Sequence, residues 1–340
     1  MSSKKPKQYR FIDLFAGIGG FHLGLEQTGR AHCVFSSEWD EPARRTYEHI
    51  FKKSCPVIFK TNKRGEQKHF ATDITKISPK SIPKFEILCG GFPCQPFSQA
   101  GHKKGFSDTR GTLFFRVEEI IRVKKPKAFF LENVRGLITH GGAPGGMPYV
   151  GRTMEIIWNR LFKPEEEGGL GYYAPPQIPG RSEPPGVYLV KASDYGVPQH
   201  RPRVFIIGFK TKSAAARFIV PKPQALDEMA LSRIMGGRVT FDSAGKKLRK
   251  IGFTLRCGGK GSRITDRRNW EYYYVQTEDE RRPKPVRINE QQGLRLNGFP
   301  ESYQFPSSVT PAVSMKQLGN SVAVPAVQTW AQAIIKSLDG

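Results

Sequence analysis

A cysteine stands between two prolines in the segment GGFPCQPFSQAG, residues 90–101. Proline fixes φ and removes a backbone donor, so the run around Cys94 suits neither a helix interior nor a central strand. Buried structural cysteines usually pack on helices or strands, as small hydrophobic side chains do. We therefore predict that Cys94 lies on a stiff loop and presents its thiol as a nucleophile, which requires the thiolate form.

Glu132 is the first polar residue after an apolar run in the segment AFFLENV, where it follows alanine, two phenylalanines and leucine. Burial at a strand end desolvates a carboxyl group, which raises its pKa and lets it hold a proton at neutral pH. A solvated strand-end glutamate is the alternative. At a shared sheet edge, Glu132 and Cys94 would supply an acid and a nucleophile to one crevice.

Three glycines follow a short apolar strand in FIDLFAGIGG, at Gly17, Gly19 and Gly20. Glycines at a strand-to-helix turn let a ligand approach the backbone, although a plain tight turn also explains them. Glu38 comes 21 residues after Gly17, where an acid hydrogen-bonds a ribose hydroxyl in nucleotide-binding folds. The pattern predicts a nucleoside cofactor, with Asp73 either contacting an adenine amino group or capping a helix.

Two arginines precede an apolar strand in QHRPRVFIIG. Arg201 and Arg203 are two positions apart, so their side chains share a face if this segment is extended. Two neighbouring guanidiniums suit a phosphate or a base carbonyl, and an exposed charge pair is the alternative.

The elements that position these residues alternate between strand and helix over the first two hundred positions. Strands are indicated by YRFIDLF, AHCVFSSEWD, KFEILCGG, PKAFFLENV, VYLVKASDYG and RPRVFIIGF, and helices by GGFHLGLEQTG, EPARRTYEHIF, GTLFFRVEEIIRVKK and residues 151–163. Repeated βα units predict an α/β fold with a doubly wound, mostly parallel, Rossmann-like sheet and helices on both faces. The candidate residues then gather at the carboxyl ends of the strands.

The alternation fades after Phe209, where basic residues and glycines become more frequent. Residues 210–285 carry 18 basic and 8 acidic side chains. The segment MKQLGNSVAVPAVQTWAQAIIKSL then returns to helix. We predict a catalytic and cofactor-binding domain over 1–222, completed by 310–340, and a second, smaller domain with its hinge over 223–309.

Positive charge dominates the composition, since 54 lysines and arginines against 30 acids give the 340-residue chain a net charge of +24. This excess indicates a polyanionic partner, most simply nucleic acid, with a generally basic protein as the alternative. The sequence contains no run of about 18 apolar residues, so it predicts no membrane span. The start MSSKKPKQYR is basic and has no apolar signal region. Five scattered cysteines without a CxxC pair predict neither disulfides nor a metal site, as expected in a reducing cytoplasm.

Eight segments, in the same order as in the family, resemble the motifs of the DNA cytosine-5 methyltransferases. They are DLFAGIGGFHLGLEQTG, SSEWD, GFPCQPFSQAG, GTLFF, LENVRGL, DYGVPQHRPRVFIIG, RLNGFP and KQLGNSVAVPAV. The chain is most similar to compact bacterial members of restriction–modification systems. The resemblance implies S-adenosylmethionine as cofactor, a cytosine flipped out of double-stranded DNA as substrate, and a target-recognition domain in residues 223–309. We also expect a cytoplasmic monomer without a metal.

The resemblance assigns roles to individual residues. Cys94 is the nucleophile, while Glu132, Arg201 and Arg203 hold the cytosine. The residues implied for the cofactor site are Phe15, Gly17, Gly19, Glu38, Trp39, Asp73, Ile74, Pro93, Asn320 and Ser321. Cytosine C5 is a poor nucleophile, but a Cys94 thiolate added at C6, with a proton at N3, turns the ring into an enamine that can attack a sulfonium methyl. Loss of the C5 proton then lets the thiol leave.

The segment GFTLRCGGKGSRITDRRNWEYYYV is the predicted sequence reader. Its Thr254–Leu255 pair resembles the short signature of the family's target-recognition domains, and its glycines let the backbone approach a DNA groove. Arg256 or Arg263 could contact guanine through two hydrogen bonds. A basic loop that touches only phosphates is the alternative.

The chain departs from the family pattern in a few places. Loops 52–70 and 139–150 are longer than in the shortest members, and the segment VRINEQQGLRLNGFP lacks the usual Arg-Glu pairing. A transfer-RNA cytosine-5 methyltransferase would share the cysteine and the Glu-Asn-Val motif, but the basic insert after Phe209 favours duplex DNA. A binding protein without activity would not need Cys94 and Glu132. A nicotinamide dehydrogenase would explain neither Cys94 nor the charge.

Overall fold

The computed structural model of the chain describes residues 6–63, 65, 67–93, 112–142, 150–257, 264–266 and 269–340. In these residues the strands are β1 Tyr9–Leu14, β2 Ala31–Ser37, β3 Phe70–Ala71, β4 Ile87–Gly91, β5 Ala128–Val134, β6 Val187–Lys191, β7 Pro202–Phe209, β8 Arg238–Thr240, β9 Tyr272–Gln276 and β10 Lys284–Arg287. The helices are α1 Gly20–Glu26, α2 Glu41–Ser54, α3 Thr112–Lys124, α4 Arg152–Phe162, α5 Lys212–Arg217, α6 Ala230–Met235, α7 Glu290–Leu296, α8 Pro311–Asn320 and α9 Val324–Asp339.

Seven of these strands form one sheet in the order β3-β2-β1-β4-β5-β7-β6. Strands β3, β2, β1, β4 and β5 pair in parallel, whereas β7 is antiparallel to both β5 and β6. The reversal follows from the connection between β6 and β7, which is too short for a crossover helix and suits only an antiparallel pair. The predicted mostly parallel sheet is confirmed, with β7 as its antiparallel strand.

Helices cover both faces of this sheet, as predicted. On one face the core includes apolar residues of α1, α2, α5 and α9, with Trp330 buried at its centre. On the other face the core includes residues of α3 and α4, with Ile120 and Ile157 fully buried. Burial of both faces explains why the central strands read as continuous apolar runs.

Tight backbone approaches bring the central strands and the first helix together. A Cβ at Gly90 would collide with the carbonyl oxygen of Leu14 on the neighbouring strand, so this position requires glycine. Helix α1 begins after Gly19, which has no side chain to cap it, and Asp13 instead accepts the amide N–H of His22 at 3.2 Å. The carboxyl end of β1 is thereby fixed to the helix that follows it.

A second, three-stranded antiparallel sheet has the order β10-β9-β8. The aromatic segment NWEYYYV forms β9 and its approach. Burial alternates along β9, so that Tyr273 and Val275 are buried, and Trp270, just before the strand, is buried as well. They share a core cluster with Leu318 of α8 and with Val324, the first residue of α9. The small sheet therefore packs against the C-terminal helices. No helix among the described residues is long and apolar enough to cross a membrane.

Helices α1 and α9 pack closely through Gly24. A Cβ there would lie 2.6 Å from Val327 Cγ1. We expect Gly24→Ala to lower the free energy of unfolding by about 1–3 kcal/mol, because the added methyl overfills the contact. Chemical denaturation measures this change. The control is Gly136→Ala, where nothing lies within 4 Å of the added carbon, and it should change the free energy by less than about 0.5 kcal/mol. Equal effects of the two variants would contradict close packing.

Candidate active site

A cavity of about 630 Å³ opens at the carboxyl ends of β1, β2, β4 and β5, and we call it the sheet-edge cavity. Helix α8 and the start of β7 close its far wall. It brings together most of the residues predicted from the sequence, namely Phe15, Gly17, Glu38, Trp39, Asp73, Ile74, Pro93, Glu132, Arg203 and Asn320. A cavity of this volume is in the range that small-molecule ligands occupy.

Glu38 fixes the turn that follows β1. Its carboxylate accepts the amide N–H of Gly17 and that of Asp40, each at 2.7 Å. Burial raises the pKa of Glu38, and the two backbone N–H donors oppose this rise. Each carboxylate oxygen retains a second lone pair, so Glu38 can still accept hydrogen bonds from a ligand hydroxyl.

The turn between β1 and α1, which lines the cavity, has an unusual backbone conformation. Phe15 has φ 57°, a left-handed conformation that non-glycine residues rarely adopt, and Gly17 has φ 56°. The chain therefore reverses sharply between β1 and α1 and exposes its backbone to the cavity. Trp39 lies on the opposite rim with 72% of its surface exposed, which leaves a large aromatic face available to a ligand.

Asp73 satisfies one of its two predicted roles directly. Its side chain caps the short turn Ile74–Lys76 by accepting the amide N–H of Thr75 at 3.0 Å and the Thr75 hydroxyl at 2.6 Å. Burial acts to raise the pKa of Asp73, but these hydrogen bonds outweigh it and the pKa is lowered. The carboxylate is thus ionised at the cavity wall, where it can also accept from an amino group.

Glu132 and Arg203 form an ion pair in the cavity wall. Arg203 Nε lies 2.8 Å from Glu132 Oε1. Burial raises the pKa of Glu132, while Arg203 and Arg201 act to lower it. A Cβ at Gly91 would lie 2.9 Å from Glu132 Oε2, so the glycine leaves room for the carboxyl group. The predicted desolvated carboxyl is therefore present, held by one guanidinium.

Arg201 does not share the exposed face of Arg203 that the extended-segment argument predicted. Its side chain is 1% exposed and does not line the cavity. The guanidinium donates to the carbonyls of Leu255 at 3.1 Å and Gly319 at 2.9 Å, and also to that of Ser321. Arg201 lies just before β7 begins and ties its own segment to those of Leu255 and Gly319, while its contact with cytosine stays a prediction.

Two predicted cofactor residues also lie outside the cavity lining. A Cβ at Gly19 would collide with the Phe51 ring, so this glycine permits packing between α1 and α2. Ser321 is buried and its amide ends α8 by donating to Gln317. Both residues support the cavity through the elements they join, and neither touches its interior.

Sequence reasoning missed a side chain that positions the cysteine loop. Asn133 is 2% exposed, and its Nδ2 donates to the carbonyl of Phe92 at 2.8 Å. This bond ties the end of β5 to Phe92, and Pro93, the last described residue before the predicted nucleophile, lies on the cavity wall. The polar residue inside the motif LENV was the available signal. Cys94 itself lies outside the described residues.

The residues predicted to read the DNA sequence differ in their exposure to solvent. Thr254 donates its hydroxyl to the carbonyl of His200, and Arg256 is exposed. The side chain of Leu255 is 1% exposed and packs in the core of the small sheet, so the prediction that it contacts DNA is corrected. Arg263 lies outside the described residues.

Comparison with known proteins gives one consistent family. The family model described as "C-5 cytosine-specific DNA methylase" matches residues 9–250 and 243–336. Type II methyltransferase M.SsoII of Shigella sonnei is 39% identical, covering 98% of this chain and 81% of its own. Type II methyltransferase M.HhaI of Haemophilus parahaemolyticus is 33% identical, covering 100% and 98%. The crystal structure of a Spodoptera frugiperda DNMT2 mutant shares the fold, with a TM-score of 0.64 at 16% identity over 96% and 99% of the two chains.

The hydrogen bonds of Glu38 predict a role in cofactor affinity. We expect Glu38→Ala to weaken S-adenosylmethionine binding about 10- to 100-fold, since a charged hydrogen-bond partner is lost. Glu38→Gln, which keeps one acceptor, should lose less. Calorimetric titration measures both. The control is Glu41→Ala, which removes an exposed carboxylate that pairs with Arg45. Unchanged affinity in a folded Glu38→Ala protein would remove the assignment.

Proposed function

The chain belongs to the C-5 cytosine-specific DNA methylase family, and from this we propose how its residues carry out the reaction. The protein is a DNA cytosine-5 methyltransferase that takes its methyl group from S-adenosylmethionine. We propose that it acts on a cytosine flipped out of duplex DNA through a covalent Cys94 adduct. We further propose a monomer that works in the cytoplasm and protects DNA from a cognate restriction endonuclease.

One observation supports these roles above the others. The Glu132–Arg203 pair and the predicted cofactor residues line the same cavity, and Pro93, the residue before the nucleophile, is part of its wall. A methyl donor and an acceptor base must meet within bond-forming distance. A single cavity with both sets of residues satisfies this requirement.

The cavity fits S-adenosylmethionine in size and in chemistry. Its volume of about 630 Å³ holds a nucleoside-sized ligand, and its wall alternates apolar side chains with polar groups. We propose that Glu38 holds the ribose hydroxyls, Asp73 the adenine amino group, and Phe15, Trp39 and Ile74 the base faces. When bound, the cofactor supplies an electrophilic methyl group.

The protein's own residues activate the cytosine. The Cys94 thiolate adds to C6, and Glu132 donates a proton to N3 as the ring accepts the electron pair. Arg203 holds the Glu132 carboxyl in place and carries the positive charge that balances it once the proton is transferred. The raised pKa of Glu132 favours the protonated form that this step needs. C5 of the resulting enamine then takes up the methyl group. Loss of the C5 proton to a base, departure of the Cys94 thiolate and return of the N3 proton to Glu132 restore the ring.

We propose that residues 223–309 form the target-recognition domain, and residues 1–222 with 310–340 the catalytic domain. The small sheet and its loops carry much of the excess positive charge, which suits a DNA backbone. Thr254 holds the segment against His200, and Arg256 and Arg263 are proposed to face DNA. A charged surface of this kind should make binding depend steeply on salt.

The covalent step is tested with DNA that contains 5-fluorocytosine. Fluorine cannot leave C5 as a cation, so the wild type with S-adenosylmethionine should form an adduct that survives denaturing electrophoresis. Cys94→Ser should form none. Cys257→Ser is the matched control, because Cys257 is an exposed thiol whose Sγ contacts Asn320. Adduct formation by Cys94→Ser would contradict the mechanism. A parallel transfer-RNA substrate that alone is trapped would favour the RNA enzyme.

The proton on Glu132 predicts a specific pH dependence. Activity needs the protonated carboxyl, so the rate should fall as pH rises through the pKa of Glu132. Glu132→Gln should lower the rate about 10²–10⁴-fold, since an amide cannot donate that proton. In Arg203→Ala the guanidinium that lowers this pKa is gone, so the falling limb should move to higher pH. Single-turnover rates measure all three. A limb that stays in place in Arg203→Ala would contradict the role of the pair.

A further inference from the structure

A second cavity, of about 550 Å³, lies beside the small sheet, and we call it the small-sheet cavity. Its lining is basic and aromatic, and includes Phe241, Lys247, Arg249, Phe253 and Arg256. No residue in it was singled out from the sequence except Thr254 and Arg256. A basic, concave surface with aromatic rings is typical of nucleic-acid contacts.

Arg249 occupies an unusual place in this cavity. Its guanidinium carbon lies 4.3 Å from the ring centroid of Phe241 and 4.4 Å from that of Phe253. Cation–π attraction to two rings holds the guanidinium plane in one orientation. Phe241 is 47% exposed although it is a large apolar residue, so this clamp stands at the surface of the protein.

The guanidinium donors of Arg249 have no acceptor within the part of the chain that the structure describes. Two other arginines of the small sheet do have one, since Arg238 donates to the carbonyl of Gly245 at 2.5 Å and Arg287 pairs with Glu271. The N–H groups of the Arg249 guanidinium are therefore available to acceptors of a binding partner.

The small-sheet cavity adjoins the sheet-edge cavity. His200 lines the former and Arg203, three positions on, lines the latter. A Cβ at Gly319, which also lines the sheet-edge cavity, would lie 2.6 Å from the amide nitrogen of Cys257, next to Arg256. DNA whose cytosine enters the sheet-edge cavity would therefore also lie near the small-sheet cavity, which Arg249 lines.

We propose that Arg249 reads a guanine of the DNA target through two hydrogen bonds to its O6 and N7 atoms. This inference rests on the proposed DNA substrate. The fixed plane of the guanidinium favours a guanine edge, which requires two parallel donors, over a phosphate, which accepts many orientations. Lys247 is exposed on the same cavity and provides a charge suited to a phosphate, whereas Lys250 pairs with Glu228.

The test measures methylation of a randomised duplex library by the full chain. Arg249→Ala should lose discrimination at one guanine position about 5- to 100-fold and keep it at the others. Arg249→Lys keeps the positive charge but not the two parallel N–H donors, and it should lose discrimination at the guanine position to a similar extent. Phe241→Leu should lose part of it, because one ring of the clamp is gone. Arg238→Ala is the matched control and should keep the wild-type preference.

Calorimetric titration with S-adenosylmethionine checks that each variant is folded. If Arg249→Ala does not fold, Arg249→Lys takes its place in the test. An even loss on all sequences, restored by lysine, would mean a phosphate contact and would overturn the inference. An unchanged preference in both Arg249 variants would overturn it as well. If the wild type methylates no DNA, the proposed function is overturned, and this inference with it. If the wild type prefers particular sequences and the Arg249 variants keep that preference, this inference alone is overturned.

Discussion

The buried guanidinium of Arg201 holds three distant segments of the chain together. Its donors bind the carbonyls of Leu255, Gly319 and Ser321. Burial and the neighbouring charge of Arg203 lower the pKa of this guanidinium, Glu132 acts to raise it, and the three carbonyl oxygens replace part of the lost water. Gly319 lines the sheet-edge cavity, and Leu255 lies between two residues of the small-sheet cavity. The shape of both cavities therefore depends on one side chain.

Three of the carboxyl groups that line the sheet-edge cavity differ in the direction of their pKa shift. Burial raises the pKa of Glu132 and that of Glu38, while hydrogen bonds from Thr75 lower the pKa of Asp73. Environment thus separates groups of the same chemical type, as acid–base chemistry at a single pH requires. The ion pair with Arg203 limits the rise at Glu132 and keeps its carboxyl in one orientation.

Local sequence signals predicted the strands, the helices and the residues at strand ends, because a period of two or 3.6 and a glycine turn are properties of neighbouring positions. Phe15, Glu38 and Glu132 were found in this way. Arg201 was misplaced because its acceptors lie 54 to 120 positions further along the chain. The packing of Gly19 against Phe51 was not predicted, because a glycine needed for packing has the same sequence pattern as one needed for a ligand.

Leu255 and Trp270 show the same limit in the small sheet. A basic, aromatic segment predicts contact with DNA, but alternation along β9 and its approach buries some of these side chains in a core. The cation–π clamp around Arg249 joins residues 8 and 4 positions away, across a turn that no periodic pattern marks. Such contacts depend on tertiary packing, which overrides local preference.

Helix α9 has a consequence for how the protein is made. Trp330 lies against Tyr188 and Phe205, with ring centroids 4.9 and 5.5 Å apart, and the hydroxyl of Tyr9 donates to Asp339 at 3.0 Å. The first strand and the late strands of the sheet share this cover. A ribosome therefore delivers one face of the sheet long before residues 324–339 can shield it, so the nascent chain has an exposed apolar surface that invites chaperones. The sheet face gains its full cover only once residues 324–339 have been synthesised.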